Sequence, residues 1–149
     1  MDVLTPEQRH KNMSAIHGKD TKPEVWLRKK LFEQGYRYRK NVKNIPGHPD
    51  IWLAKYNTVI FIHGCFWHRH KDCKFASMPK SRTEFWIDKF NRNIERDNEV
   101  REELQVAGIK TLVVWECTIK RMMKDETELK SVVGQIKDFL ETGKGYIEM

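Results

Sequence analysis

The chain has 149 residues, the usual size of one domain and enough for a real core. Lys and Arg number 28 against 21 Asp and Glu, a formal net charge of +7 that favours partners carrying phosphates, nucleic acid above all. No apolar run reaches the length of a membrane span, the start MDVLTPEQRHKN lacks the apolar core of a secretory signal, and the odd count of three cysteines argues against a disulfide framework; a cytoplasmic protein with metal-bound or buried thiols is expected.

Helix signals open the chain. Thr5-Pro6-Glu7-Gln8 offers an N-cap, a proline at the first helical position and a residue able to close a capping box, so a helix is predicted to about Ile16, stopping at Gly18. Thr21-Lys22-Pro23-Glu24 repeats the signature; Leu27 and Leu31 give that helix an inner face, and Gly35 ends it. Tyr36 to Lys40 reads as a short strand. The two prolines and the glycine of IPGHPD mark residues 45 to 50 as a loop. Ile51 to Ala54 and Thr58 to Ile62 are apolar and β-branched, and Lys55-Tyr56-Asn57 between them predicts a hairpin. A long helix follows from about Thr83 to Val106, ending at Gly108. The strand TLVVWE comes next, then a last helix from about Glu126 to Leu140. The order α-α-β-β-β-α-β-α predicts one α/β (α+β) domain with a mixed sheet flanked by helices.

Chemistry concentrates in HGCFWHRHKDC, residues 63 to 73. Cys65, His70 and Cys73 have the spacing C-x4-H-x2-C, and Cys117 lies just past the strand TLVVWE. Loops following two strands can meet, so these four could close a tetrahedral structural zinc site, stapling a loop too polar at Lys71-Asp72 to bury unaided. The other reading is three buried cysteines and an incidental histidine. His63 and His68 would remain free of zinc, either as surface residues or as proton carriers near neutral pH.

Asp50 follows Pro49 at a strand entrance, where it could hold Mg²⁺ or simply shape a turn. The long helix carries an apolar stripe at Ile87, Phe90, Ile94 and Leu104, and Asp97 and Arg101 fall on that stripe. A buried charge is costly unless paired, so Asp97 either pairs with Arg101 or serves a histidine. Phe66, Trp67, Phe85 and Trp86 form two adjacent pairs that could be core. Phe66 and Trp67, however, lie between metal ligands where little core fits, and exposed rings could wedge between base steps.

The stretches RHKNMSAIHGKDTKPE, PGHPD, VIFIHGCFWHRH, RTEFWIDKFNRNIERD and VVWEC, in that order, resemble the very-short-patch-repair (Vsr) endonucleases over nearly the whole chain. The resemblance implies a restriction-endonuclease-like fold over residues 1–149, with residues 1–18 as a DNA-contacting helix. It also implies Mg²⁺-dependent nicking of duplex DNA on the 5′ side of a thymine mispaired with guanine, as arises when 5-methylcytosine deaminates. Asp50 matches the Mg²⁺-binding aspartate, with the main-chain carbonyl of Ile62 completing the protein's share of the metal shell. His68 matches the histidine that helps activate water; Glu24, Asp97 and His63 match further active-site residues, Glu24 expected to orient His68 and Asp97 to steady His63. Cys65, His70, Cys73 and Cys117 match structural Zn²⁺ ligands. Phe66, Trp67 and Trp86 match aromatics that wedge into the base stack, Met13 a residue entering from the minor groove, and Lys89 and Asn93 contacts to the mismatch. This chain departs from the pattern with Ile62 where a known member has threonine, with two residues rather than one between His70 and Cys73, and after Cys117. The expected partner is double-stranded DNA with a T·G mismatch, with mismatch-repair proteins as further candidates; a monomer is expected, since a single nick needs one subunit. The rival readings are a restriction-type nuclease on matched DNA and a non-catalytic zinc module that binds DNA.

Overall fold

The computed structural model describes residues 20–149. The helix expected over Thr5–Ile16, and Met13 with it, lies outside the described residues. Helix α1 spans Lys22–Glu33. It starts where the sequence signature places it: the Glu24 carboxylate accepts the Thr21 N–H at 3.4 Å, and Pro23 sits in the first turn. It ends before Gly35, whose φ of +93° suits a residue without Cβ.

Five strands form one sheet in the order β1-β2-β3-β4-β5. They are β1 (Arg39–Lys40), β2 (Ile51–Leu53), β3 (Thr58–His63), β4 (Lys110–Trp115) and β5 (Tyr146–Glu148). The first three pair antiparallel; β3/β4 and β4/β5 are parallel. The mixed sheet agrees with the expected architecture. The first strand is shorter than Tyr36–Lys40, because Tyr36 is buried in the core rather than paired. The predicted hairpin turn holds a 3-10 turn, Ala54–Tyr56, closed by Asn57 in the left-handed region.

Alternation along the strands divides the core in two. Ile51, Leu53, Ile60, Ile62, Leu112 and Val114 face α1 and the two C-terminal helices, α3 (Glu116–Lys124) and α4 (Glu126–Thr142). Val59, Phe61, Val113 and Trp115 face the long helix α2 (Thr83–Val106) through Leu104, together with Cys65 and Cys117. Two elements escape the sequence reading. Helix α3 follows β4 directly, with no side-chain cap to announce it. Strand β5 is only three residues long and follows Gly143-Lys144-Gly145.

The inner face of α2 is also corrected. Ile87 and Ile94 are 41% and 40% exposed, whereas Phe90 and Leu104 are buried. Trp86, Lys89, Asn93, Asp97 and Val100 are partly buried, and the inward stripe runs 86, 90, 93, 97, 100, 104 with Lys89 on its flank. This shares its middle with the predicted stripe but lies on the flank that carries the polar Asn93, because the loop packed on it supplies polar partners (below).

The PGHPD loop fits closely against this layer. Gly47 has a φ of +81°, and a Cβ there would lie 2.5 Å from Val100 Cγ1 and 2.9 Å from Phe61 Cζ. Gly47→Ala is therefore expected to cost about 1–3 kcal/mol through overpacking, read as a lowered urea midpoint with an unchanged slope; an unchanged midpoint would show that the loop does not pack this way.

Candidate active site and metal centre

Three segments converge at one end of the sheet. The residue after Pro49 is Asp50, immediately before β2; His63 ends β3; and the loop after β3 folds back on α2. Glu24, Asp50, Ile62, His63, His68 and Asp97 all line one cleft of about 750 Å³, into which Asn93 also projects. Glu24, 5% exposed, comes from the first turn of α1.

Asp50 Oδ2 accepts the backbone N–H of Ile62 at 2.8 Å. Burial nevertheless pushes its carboxyl up to about 7: the Ile62 bond and the charges of Arg28 and His68 favour ionisation, while neighbouring Glu24 opposes it. Glu24 is likewise raised by burial. Two neighbouring carboxyls, Glu24 buried and Asp50 half-buried, form a site in which a divalent cation would relieve both desolvation and mutual repulsion. The donor set is all oxygen, as Mg²⁺ requires.

The histidines adopt a specific arrangement. His68 Nδ1 pairs with Asp97 Oδ2 at 2.8 Å. With Nδ1–H donating to the carboxylate, Nε2 is left as the acceptor of the neutral ring. His63 stacks on His68 with ring centroids 3.9 Å apart and planes 4° from parallel. Burial first, and the neighbouring His68 second, hold His63 down at about 3, so its ring is neutral at physiological pH. This geometry differs from the expected pairings. Asp97 steadies His68, not His63, and no Asp97–Arg101 pair forms among the described residues; Arg101 instead lies 3.6 Å over the Tyr146 ring. Glu24 bonds the Thr21 N–H, and no hydrogen bond from it to His68 is present. The reason is positional: α2 lays Asp97 directly against the loop, whereas the Glu24 carboxylate is engaged at the start of α1.

The loop that carries His68 is held from both sides. Cys65, His70, Cys73 and Cys117 offer three sulfurs and one nitrogen all within 4.8 Å of one another, with Cys117 Sγ 3.4 Å from His70 Nδ1. Tetrahedral Zn²⁺ with Zn–S bonds of about 2.3 Å needs this kind of donor set and spacing. Burial pushes the Cys65 thiol up to about 12, so a bound cation would be what makes its thiolate tenable. His70 lies flat on Trp115, centroids 4.1 Å apart, and Trp115 Nε1 donates to Glu148 Oε1 at 2.7 Å. Cys117 thus comes from the first turn of α3, not from a loop.

Arg69, which the sequence reading passed over, stitches the other side. Its Nη1 donates to the Phe66 and Ser77 carbonyls at 3.2 and 3.1 Å, its Nη2 to the Ala76 carbonyl at 2.7 Å, and its guanidinium lies 4.0 Å from the Phe90 ring centroid. In a basic chain one arginine in WHRH carries no sign that distinguishes a loop organiser from a surface charge.

Beside the cleft, Phe66, Trp67 and Trp86 cluster half-exposed, with centroid separations of 5.1 to 5.9 Å. Phe85, 42% exposed, extends the cluster, and buried Phe90 floors it. Lys89 reaches to 5.9 Å from the Trp67 ring. Asn93 Nδ2 donates to the Trp67 carbonyl at 3.0 Å, so the amide nitrogen positions the aromatic loop.

A cleft with a cation-ready carboxylate and an Asp-oriented histidine, beside an aromatic shelf on a basic chain, has the parts of a phosphodiester-cleaving enzyme, a nuclease. The model of the family described as DNA mismatch endonuclease Vsr matches residues 1–75. The chain is 50% identical over 137 residues to the type II nicking enzyme V.NmeAIP of Neisseria meningitidis serogroup A, covering 92% of this chain and 97% of that protein. It is 43% identical over 119 residues to the DNA mismatch endonuclease Vsr of Escherichia coli K12, covering 80% and 76%. The type II nicking enzyme V.XorIIP of Xanthomonas oryzae pv. oryzae is 37% identical over 132 residues, covering 89% and 96%. This chain belongs to the Vsr family of endonucleases.

The raised Asp50 carboxyl has a consequence for stability. Its cost to the metal-free fold is absent below the ordinary aspartate value near 3.8, grows as pH rises through the interval, and is complete above about 7. Asp50→Asn should therefore raise the melting temperature at pH 8 by a few degrees, with less than half that gain near pH 5, measured without added Mg²⁺. An equal shift at both pH values would show that burial of this charge is not what the fold bears.

Proposed function

We propose that the protein is a Mg²⁺-dependent, strand-specific endonuclease that nicks duplex DNA 5′ of the thymine in a T·G mismatch and so begins very short patch repair. The observation that carries the reading is the His68–Asp97 pair, 2.8 Å apart, facing the same cleft as Asp50 in a chain of the Vsr family. The names of its relatives, DNA mismatch endonuclease and type II nicking enzyme, support both the substrate and the single-strand cut.

In this reading Asp50 Oδ1, left free by the Ile62 bond on Oδ2, and the Ile62 carbonyl hold the catalytic ion. Strand geometry turns that carbonyl to the same side as its N–H. Bound there, Mg²⁺ supplies Lewis-acid polarisation of the scissile phosphate and charge stabilisation on the leaving oxygen. His68 Nε2 accepts the proton of the attacking water, and Asp97 holds the ring in the required tautomer and stabilises the imidazolium that forms. Neutral His63, stacked on His68, fixes the position of that ring and can give a hydrogen bond without carrying charge. Glu24 adds negative charge behind Asp50 and strengthens the hold on the ion.

Recognition falls to the aromatic shelf. Phe66, Trp67 and Trp86 would enter the base stack, at a cost of a few kcal/mol per step that is lowest at a weak pair. Lys89 and Asn93 border that shelf, and Met13 would approach from the N-terminal segment. Cys65, His70, Cys73 and Cys117 would hold a structural Zn²⁺ with no open position. The sheet and flanking helices fit a restriction-endonuclease-like fold, with residues 1–149 as one domain and 1–18 as a DNA-contacting helix. The enzyme would work as a cytoplasmic monomer; among the described residues no helix is long and apolar enough to cross a membrane.

Two end-labelled duplexes test this reading: one with a T·G mispair in a CTWGG-like context (W is A or T) and its fully paired twin, each with Mg²⁺. The expected result is one nick 5′ of the mispaired thymine, absent from the twin and reduced at least a thousandfold by Asp50→Ala, on the order of 4 kcal/mol of barrier. Equal cutting of both duplexes would replace this reading with a restriction-type nuclease. Binding without cutting would replace it with a DNA-binding module.

A further inference from the structure

A second concavity lies between α1 and the β1 edge of the sheet. It encloses about 610 Å³ and is lined by Asp20, Val25, Arg28, Lys29, Tyr38 and Lys40. Among these described residues three carry positive charge, and the carboxylate, Asp20, is already engaged. Asp20 Oδ1 accepts from Arg28 Nη2 at 2.7 Å and from Asn41 Nδ2 at 3.0 Å. Lys29 and Lys40 are exposed and have no carboxylate partner among the described residues.

Arg28 makes this more than a patch of surface lysines. It is 5% exposed, and its Nη1 has no hydrogen-bond partner among the described residues. A buried guanidinium with an orphaned N–H is an unusual expense in a fold, and it places a fixed positive charge at the floor of the pocket. The ion pair with Asp20 accounts for Nη2 alone.

The pocket is also in register with the cleft. Lys40 pairs with Ile51 across β1 and β2, and the next residue, Asn41, donates its N–H to the Asp50 carbonyl at 3.1 Å. Neighbouring strands are separated by about 4.8 Å. The β1 edge and its exposed ammonium groups thus lie one strand away from Asp50, within reach of a polynucleotide held at the cleft.

We propose that this pocket is a second phosphate seat, in which Lys40 and Lys29, above the buried Arg28, hold a backbone phosphodiester of the nicked strand that flanks the scissile one. The seat rests on the nuclease reading above and deepens it. It touches no base edge, so it fixes register and orientation without contributing to the choice of sequence or mismatch.

The test is the salt dependence of duplex binding, with Ca²⁺ replacing Mg²⁺. Fluorescence anisotropy of the T·G duplex and of its paired twin would be followed across a series of KCl concentrations. The proteins are wild type, the double variant Lys29→Gln/Lys40→Gln, and a charge-matched control on α4, Lys130→Gln/Lys137→Gln. For the pocket variant, the slope of log K against log salt should fall by about 0.9 for the one phosphate lost, by the same amount on both duplexes. The control should keep the wild-type slope. A pocket variant with the control's slope overturns the seat, and wild-type nicking of the T·G duplex would show that the nuclease reading survives that failure. A seat that takes free inorganic phosphate instead would show as millimolar phosphate binding to wild type but not to the pocket variant, with equal salt slopes on DNA, and would also overturn the proposal. Wild-type protein that neither binds nor cuts either duplex would sink the nuclease reading itself.

Discussion

The parallel pairing of β3 with β4 is the constraint on which the site depends. Its register ends with His63 opposite Trp115. Cys65 and Cys117 are each two residues beyond that last pair, so the strand alignment alone brings together two thiols distant in sequence. The loop after His63 then has one fixed end, and His70 and Cys73 close the cluster as the chain returns. The loop side chains on either side of this cluster are placed by the same path of the chain: His68 against Asp97, and Phe66 and Trp67 against Trp86. A slip of β4 by one residue along β3 would turn Val113 and Trp115 to the wrong layer, and the cysteines would no longer meet.

The site is built at the expense of the fold. Asp50 and Glu24 are carboxyls that burial drives toward the neutral form, and His63 is an imidazole that burial keeps uncharged. Arg28 Nη1 adds a buried donor without a partner among the described residues. Each of these would be better tolerated as an apolar residue; Glu24, Asp50 and His63 line the cleft, and Arg28 lines the second pocket. The compensation lies in two ordinary cores, one on each face of the sheet, and in a loop fixed by side chains instead of by secondary structure. Arg69 and the Cys/His cluster do for residues 64 to 82 what a hydrogen-bonded ladder does for the strands.

Much of this was legible in the sequence where local chemistry decides. The capping signature at Thr21, the turn at Asn57 and the span of the long helix were readable because caps and β-branched runs act over a few residues. The two missed elements, α3 and β5, have weak local signals. Helix α3 is called into being by packing of Ile119 and Met122 against the sheet, and β5 by pairing with β4. The mixed sheet was legible from the element order. At the site, the cysteine spacing and the histidines singled out the loop that lies against the cleft, and the family resemblance singled out Glu24, Asp50 and Asp97, which line it. Which partner each carboxylate takes was not legible: Asp97 could face His63 or His68, and only the rotation of α2 settles it. Ile87 and Ile94 misled the stripe reading because an apolar residue beside a polar loop can stay exposed, while Asn93 turns inward to bond the Trp67 carbonyl.

The central claim is that a metal-closed loop presents the catalytic histidine. The most direct measurement follows zinc content and nicking of the T·G duplex in the same samples, as the thiols are titrated with an organomercurial in excess Mg²⁺. The account predicts one zinc per chain and activity that falls in proportion to zinc released, while far-UV circular dichroism shows the sheet retained. Full nicking by protein emptied of zinc would contradict it.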